Sequence, residues 1–395
     1  MGNRKTKTDN NGTHNYTYDT LNRLVEAVNP LPSNPLESFT YDPVGNRVNS
    51  NQNGASTFNI ANQLLEDADF TYQYDNNGNL TLKTPKIPGP FTSYEYDAEN
   101  KLVRVVTNGT TANYKYDGLG RRVEKEVTNV GTTVTRYIYD NEDILLELDG
   151  SNNITARYTH GPGIDEPLVL EKAGASFFYH ADGLGSITEI TDSSGVLKQQ
   201  YAYSSFGKIE SQLDANFIQP YTFTSREFDP ETGLYHYRRR TYNPHTGTFP
   251  QEDPIGFAGG NINLYSYVRN NPVGHRDPFG LQATDSGTCG VPNPNAPTNP
   301  EPQKPQPQSC FNNNPRGSYG ILLGFTAAAA AEAIHVGELL IHGGLVAAAT
   351  GGPVGIAVGI PVAVLGVGIA AGGVVLGLEA VGVLDLGILP KPCPQ

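Results

Sequence analysis

The sequence predicts a mainly β protein of many short strands, followed by a C-terminal hydrophobic segment that reads as helical. Three observations predict it. The 395 residues include 44 Gly and 29 Pro and no Trp, with 37% hydrophobic and 17% charged residues, a composition that suits strands and tight turns better than a helical bundle. An aromatic-x-Tyr-Asp unit recurs along the first part of the chain. Beyond it, a Pro/Asn-rich run separates this body from a stretch with almost no charge.

The repeat comes first along the chain. Its Tyr-Asp pairs are Tyr18-Asp19, Tyr41-Asp42, Tyr74-Asp75, Tyr96-Asp97, Tyr116-Asp117 and Tyr139-Asp140, with tyrosines 23, 33, 22, 20 and 23 residues apart. Two residues before each Tyr stands another aromatic, so each unit sets two rings on one face of a strand. They suit a stacked aromatic ladder. Three residues after the Asp comes Asn22, Gly45, Gly78, Asn100 or Gly120 in five of the six units, where a left-handed residue would close a hairpin whose first residues the Asp caps. A strand-turn-strand unit of this kind cannot bury its own face, so successive units must pair into one sheet.

These units resemble the YD repeats of RHS proteins, teneurins and the shell subunit of insecticidal toxin complexes. The resemblance implies curvature: a spiral sheet forming a partial shell around C-terminal cargo. From Tyr179 the period breaks, and strings of the forms HxDxLGS, FTxREFDxETGLYxYRxR, DPIGFAGG, NxNxYxYVxNNP and DPxGL follow in order. They are very similar to the RHS repeat-associated core domain, and the resemblance as a whole covers Tyr16 to Leu281. Thr248 departs from the Arg usual in that family, which puts in doubt any bracing of the Asp253 turn by that guanidinium. Ser204-Ser205 replaces a Pro-containing turn. The chain divides as repeats (residues 1–160), core domain (161–281), linker (282–317) and hydrophobic variable segment (318–395). It begins inside the repeat pattern and reads as the tail of a larger protein or a gene fragment.

Two Asp-Pro turns, Asp253-Pro-Ile-Gly256 and Asp277-Pro-Phe-Gly280, frame the end of the core domain. By residue type alone they are good turns and no more. The resemblance implies that the family cuts its own chain after DPxGL, here between Leu281 and Gln282, with the paired aspartates implicated. Two close carboxylates cannot both ionise easily, so one keeps a proton while the other activates water. Asp253 is the better candidate base and Asp277 the acid, though the roles could be reversed. Arg238 or Arg240 could orient a carboxylate or steady negative charge; alternate arginines on a solvated strand are an equal reading. His180, His236 and His275 accompany no hydrolase or metal motif, so neither cofactor nor metal is expected.

The formal charge of −13 argues against a nucleic-acid partner, which needs a basic footprint. Cys289, Cys310 and Cys393 all lie past residue 285 and leave the disulfide state open. The N-terminus has no apolar core of a signal peptide, so secretion or cell-surface delivery would use another route. Residues 282–317 read as an extended linker. Leu345–Leu378 carries no charge and is long enough to span a membrane, with Gly355 and Gly359 able to let apolar helices approach. Ahead of it Glu332, His335, Glu338 and His342 share a helical face. Three functions compete: a self-processing toxin carrier whose released tail attacks membranes and whose producer needs an immunity protein, an envelope adhesin whose repeats bind carbohydrate, and an inactive displaced fragment. The DPFGL string set directly before an unrelated tail favours the first.

Overall fold

A computed structural model describes residues 2–285 and the backbone of three short strands nearer the C-terminus. The chain forms two compact units, Met1–Asn314 and Pro315–Gln395. In the first, a six-stranded antiparallel sheet (strands between Thr6 and Ala55) is followed by a sixteen-stranded one (between Thr57 and Gln212), each in strict chain order. In the second, Val354–Ala357, Val364–Ala370 and Gly373–Gly377 form an antiparallel sheet. The rest of the hydrophobic segment lies outside the described residues. So does the stripe from Glu332 to His342, while the described part of the stretch Leu345–Leu378, expected as helix, is these three strands. Among the described residues no helix is long and apolar enough to cross a membrane.

The repeat turns have one geometry. In the first, Asp19 N–H donates to the Arg23 carbonyl at 3.0 Å and Asn22 N–H returns to the Asp19 carbonyl at 3.1 Å. Asp19 Oδ1 accepts from Leu21 N and Arg23 N, both at 2.9 Å. One carboxylate thus satisfies the inward N–H groups of the loop, and Asn22 takes φ 63° as the left-handed residue. The same backbone pair recurs at Asp42, Asn59, Asp75, Asp97, Asp117, Asp149, Asp182, Asp192 and Ser204. Ser204 shows that the departure at Ser204-Ser205 leaves this turn in place. Asp140 differs: Asn141-Glu142 makes a two-residue hairpin that pairs Asp140 with Asp143. The sheet continues past residue 160 without a break, to Gln212.

Beside these turns the strand pairing slips, at Thr17/Tyr18, Thr40/Tyr41, Glu95/Tyr96, Lys115/Tyr116 and Ile138/Tyr139. A bulge bends and twists its strand, so one bulge per repeat rolls the sheet into a curved wall. The first aromatic of each unit is buried on its concave side: Tyr16, Phe39, Tyr72, Tyr94, Tyr114 and Tyr137. In three units the second Tyr ties repeats together, its hydroxyl donating to a backbone carbonyl of the preceding unit, whereas the buried Tyr96 hydroxyl makes no such bond. Tyr41 reaches Leu24 O at 2.7 Å, Tyr116 reaches Leu102 O at 2.7 Å and Tyr139 reaches Arg122 O at 2.9 Å. The expected ring stack does not form. Successive units are two strands apart, about 10 Å, and the strand between fills the gap with Leu24, Leu102 or Ile144.

The wall curls round residues 221–283. Tyr221 packs edge-on to Tyr158 at 5.4 Å, the Tyr265 hydroxyl donates to Gly78 O at 2.9 Å, and Asn270 Nδ2 donates to Gly45 O at 2.8 Å. Where the wall's ends meet, Lys7 pairs with Asp182 at 2.9 Å and Ser205 N–H donates to Glu37 at 2.9 Å. Side chains join the ends, and no closed barrel forms. At the centre Tyr235, Tyr237, Tyr242, Phe249 and Tyr267 are fully buried, their rings meeting at 4.4 to 6.3 Å.

Candidate functional site at the Leu281–Gln282 bond

A hairpin positions the arginines. Strands Leu234–Tyr237 and Arg240–Tyr242 are joined by the two residues Arg238-Arg239, with Tyr237 opposite Arg240 and Arg238 at φ 55°. The solvated-strand reading fails for Arg238 and Arg240, which are both buried. The Arg240 guanidinium stands over the Phe249 ring, 3.6 Å from its centre. Its Nη2 is 3.1 Å from Asp253 Oδ2 and 3.5 Å from Asp277 Oδ2, so one guanidinium holds both carboxylates. Its remaining N–H groups donate to the carbonyls of Gly280 and Leu264. Arg238 does other work. It pairs with buried Asp165 at 2.9 Å, donates to the Pro278 carbonyl and stands over Phe279, bracing the second Asp-Pro turn from outside the carboxylate pair. Bracing of Asp253 thus comes from Arg240, and Thr248 instead hydrogen-bonds Thr246 at 2.8 Å.

Both Asp-Pro segments are turns whose Gly N–H returns to the Asp carbonyl, at 2.9 Å for Gly256 and 3.4 Å for Gly280. Gly280 has φ 69°, and a Cβ there would lie 2.4 Å from the Tyr237 carbonyl oxygen; only glycine fits. Asp277 Oδ1 accepts N–H from Leu281 at 2.9 Å and from Gln282 at 3.1 Å. One carboxylate oxygen therefore touches the nitrogen of the Leu281–Gln282 bond. On the other side, Asp253 Oδ2 and the Leu281 carbonyl oxygen both face the bare Cα of Gly259. The cleft between them has a free volume of about 20 Å³, room for one water molecule. Burial pushes Asp253 up to about 6 against the pull of Arg240. Burial also raises Asp277, opposed by Arg240 and by the N–H groups of Leu281 and Gln282.

Two further features escaped the sequence reading. Gly259 sat unnoticed inside the DPIGFAGG string. A buried charge cluster joins wall to core: Arg122 contacts Glu227 at 2.8 Å and Asp229 at 2.5 Å, while Lys125 contacts Asp229 at 2.9 Å. Only the alternation of charge in Arg122-Val-Glu-Lys125 hinted at it. His236 is buried beside Tyr116, and burial with nearby arginines keeps it neutral, well below the usual histidine range. Among the described residues no group of three His, Cys, Asp or Glu could hold a metal.

The teneurin YD-shell family matches residues 2–273. A tRNA3(Ser)-specific nuclease WapA of Bacillus spizizenii is 35% identical over 280 residues, covering 67% of this chain and 12% of that protein. Double-stranded DNA deaminase toxin A of Burkholderia cenocepacia is 29% identical over 304 residues, covering 68% of this chain and 21% of that protein. Among solved structures, TcdB2-TccC3-TEV matches with 20% identity and a TM-score of 0.42, over 68% of this chain and 18% of that one. The chain thus spans about an eighth to a fifth of these relatives' length. With the family matched from residue 2 to residue 273, this chain belongs to the teneurin YD-shell family, the RHS/YD-repeat shell proteins.

Proposed function

We propose that this chain is the C-terminal part of a bacterial RHS toxin carrier, whose β wall and core hold the segment from Gln282 onward as cargo and cut it free between Leu281 and Gln282. The observation that carries this reading is the grip of Asp277 on the N–H groups of Leu281 and Gln282, at 2.9 and 3.1 Å, with Asp253 tied to the same arginine. In the reaction, water adds to the Leu281 carbonyl carbon while Asp253, ionised, takes a proton from it. Arg240 steadies the pair of carboxylates as charge moves between them. Asp277, protonated, gives its proton to the Gln282 nitrogen as the C–N bond breaks, leaving a Leu281 carboxyl and a Gln282 amine. Return of the proton from Asp253 to Asp277 makes the step a simple hydrolysis. The acid role falls to Asp277 because it lies beside the leaving nitrogen, whose N–H it accepts before reaction and whose lone pair it can protonate once water has added to the carbonyl; the base role falls to Asp253 because it faces the carbonyl side.

The relatives named as a nuclease and a deaminase toxin support a carrier role. The tail here is apolar instead, so its target is a membrane, delivery is by secretion or at the cell surface, and an immunity protein guards the producer. The test is a denaturing gel of the purified 395-residue protein. Two bands are expected, the smaller beginning at Gln282, with one full-length band for Asp253→Asn. A parent that stays whole, or a cut elsewhere, overturns the reading. For the tail, residues 282–395 should release dye from liposomes more readily at pH 4–5, where glutamates near their ordinary range become neutral. No release between pH 4 and 8 would return the tail to inert cargo.

A further inference from the structure

We infer that Gly259 is a positioning residue for self-cleavage: its missing side chain is the space through which Asp253 and the Leu281 carbonyl approach each other. The inference rests on the proposed cut at Leu281–Gln282. A Cβ built on Gly259 would stand 2.8 Å from Asp253 Oδ2 and 2.9 Å from the Leu281 carbonyl oxygen. The two oxygens therefore lie at most about 6 Å apart, close enough for one water molecule to reach both with ordinary hydrogen bonds. A methyl group put between them would take the place of that water and push its neighbours apart.

Backbone conformation does not demand this glycine. Gly259 lies outside the left-handed region, whereas its neighbour Gly260, at φ 75°, lies within it. Gly259 closes the 3-10 turn Gly256–Gly259, whose chain Asp253 opens by accepting the N–H of Ile255 and Gly256. Base and gap thus belong to one rigid loop. Across it, the Asp277 turn presents the Leu281 carbonyl, with its register set by the two N–H bonds to Asp277. Alanine at 259 is therefore compatible with the loop and incompatible with the approach.

Cutting can be followed by cell-free translation of the whole chain, sampling full-length and cut product with time. Gly259→Ala should slow it about 10- to 100-fold, because displacing a reacting group by an ångström or less costs rate on that scale. The thermal midpoint should stay close to the parent's. Gly118→Ala, at a glycine with open space around it, should cut like the parent. The acid limb of the rate profile should also move in Gly259→Ala, because the displaced Asp253 sits in a different environment; a merely structural loss would lower the rate and leave that limb in place. Should Gly259→Ala fail to fold, a second measurement decides. Leu281-Gln282 is the only Leu-Gln pair in the chain, so carbonyl-13C leucine with 15N glutamine isolates that one carbonyl by NMR. In uncut Asp277→Asn protein its resonance should titrate with Asp253, and stop doing so once Asp253→Asn is added. A parent that never cuts sinks the self-cleavage reading itself. If the parent cuts and Gly259→Ala cuts as fast with the same acid limb, or if the Leu281 carbonyl ignores pH from 4 to 8, the role of Gly259 is refuted and self-cleavage stands.

Discussion

Asp277→Asn separates the chemical role of Asp277 from its structural one. Asp277 is 2% exposed, and its Oδ1 holds the N–H groups of Leu281 and Gln282 at 2.9 and 3.1 Å. Asparagine keeps an acceptor oxygen in that place, and because the acid form of Asp277 is neutral too, both bonds survive at about their former strength. Its amide N–H groups would face the Arg240 Nη2 that now stands 3.5 Å from Oδ2, a mismatch of donors. The mismatch costs about 1–3 kcal/mol of stability, small enough to leave the fold standing. What is lost outright is the proton for the Gln282 nitrogen. General acid catalysis contributes about 10²–10⁴-fold, which corresponds to about 3–5 kcal/mol of barrier. Cut and uncut chains followed over hours in cell-free translation should show slowing of that size, with an unchanged circular dichroism spectrum. Cutting within about threefold of the parent would refute the acid role and leave Asp277 as a turn residue. Alanine cannot make this distinction, since it removes both N–H bonds as well.

Other consequences follow from the same geometry. The cutting rate should rise through about pH 6, where Asp253 ionises, and fall again once Asp277 gives up the proton that burial helps it keep. A bell-shaped profile belongs to the pair as a whole, and a rate flat from pH 4 to 8 would count against the dyad. Arg122→Ala should destabilise the wall-core junction, because it strands Glu227 and Asp229, each side chain 5% exposed. Removing one partner of a buried pair costs about 3–5 kcal/mol. Lys125 still reaches Asp229 and Arg226 still reaches Glu227, which favours the lower end. A thermal midpoint lowered by roughly 6–12 °C is expected, and a shift under 2 °C would show the cluster to be energetically idle.

The parts of this fold legible in the sequence are those set by local chemistry. Aromatic-x-Tyr spacing puts Tyr16 and Tyr18 on one strand face whatever surrounds them, and an Asp followed three residues later by Gly or Asn needs only its own backbone to close. The same turn at Asn59, Asp149, Asp182 and Asp192 went unread because the Tyr before it is missing, and at Ser204 because Ser stands where the Asp would follow Tyr201-Ala-Tyr203. Curvature was illegible, since a bulge is a slip between two strands and leaves no residue-type signature. The ring stack was wrongly expected because the strand between repeats, with Leu24 or Leu102, was left out of the spacing. At the candidate site both aspartates stood out by their Asp-Pro turns. Arg238 and Arg240 could not be told apart until the hairpin fixed which pointed at Asp253 and which at Asp165. Gly259 was invisible for a simpler reason: what matters there is an absent side chain between two segments 22 residues apart.

The raised carboxylates depend on structure far from the cleft. Burial is the largest cause of both shifts, and the arginine between the two carboxylates is itself seated on Phe249 and the ring cluster around it. That cluster is continuous with Tyr16, Leu24 and Phe39 from the first repeats and Phe206 near the end of the wall. Phe39 and Phe206, 167 residues apart in the chain, meet edge-on at 5.1 Å with Arg47 lying over both. Contacts so distant in sequence form only when the wall has come round upon the core. Until then Asp253 and Asp277 are solvated and ionise at ordinary acidic values, so they lack the shared proton that the proposed hydrolysis would use. In this reading the dyad becomes competent when the wall closes, because the same aromatic packing that completes the enclosure also dries the site.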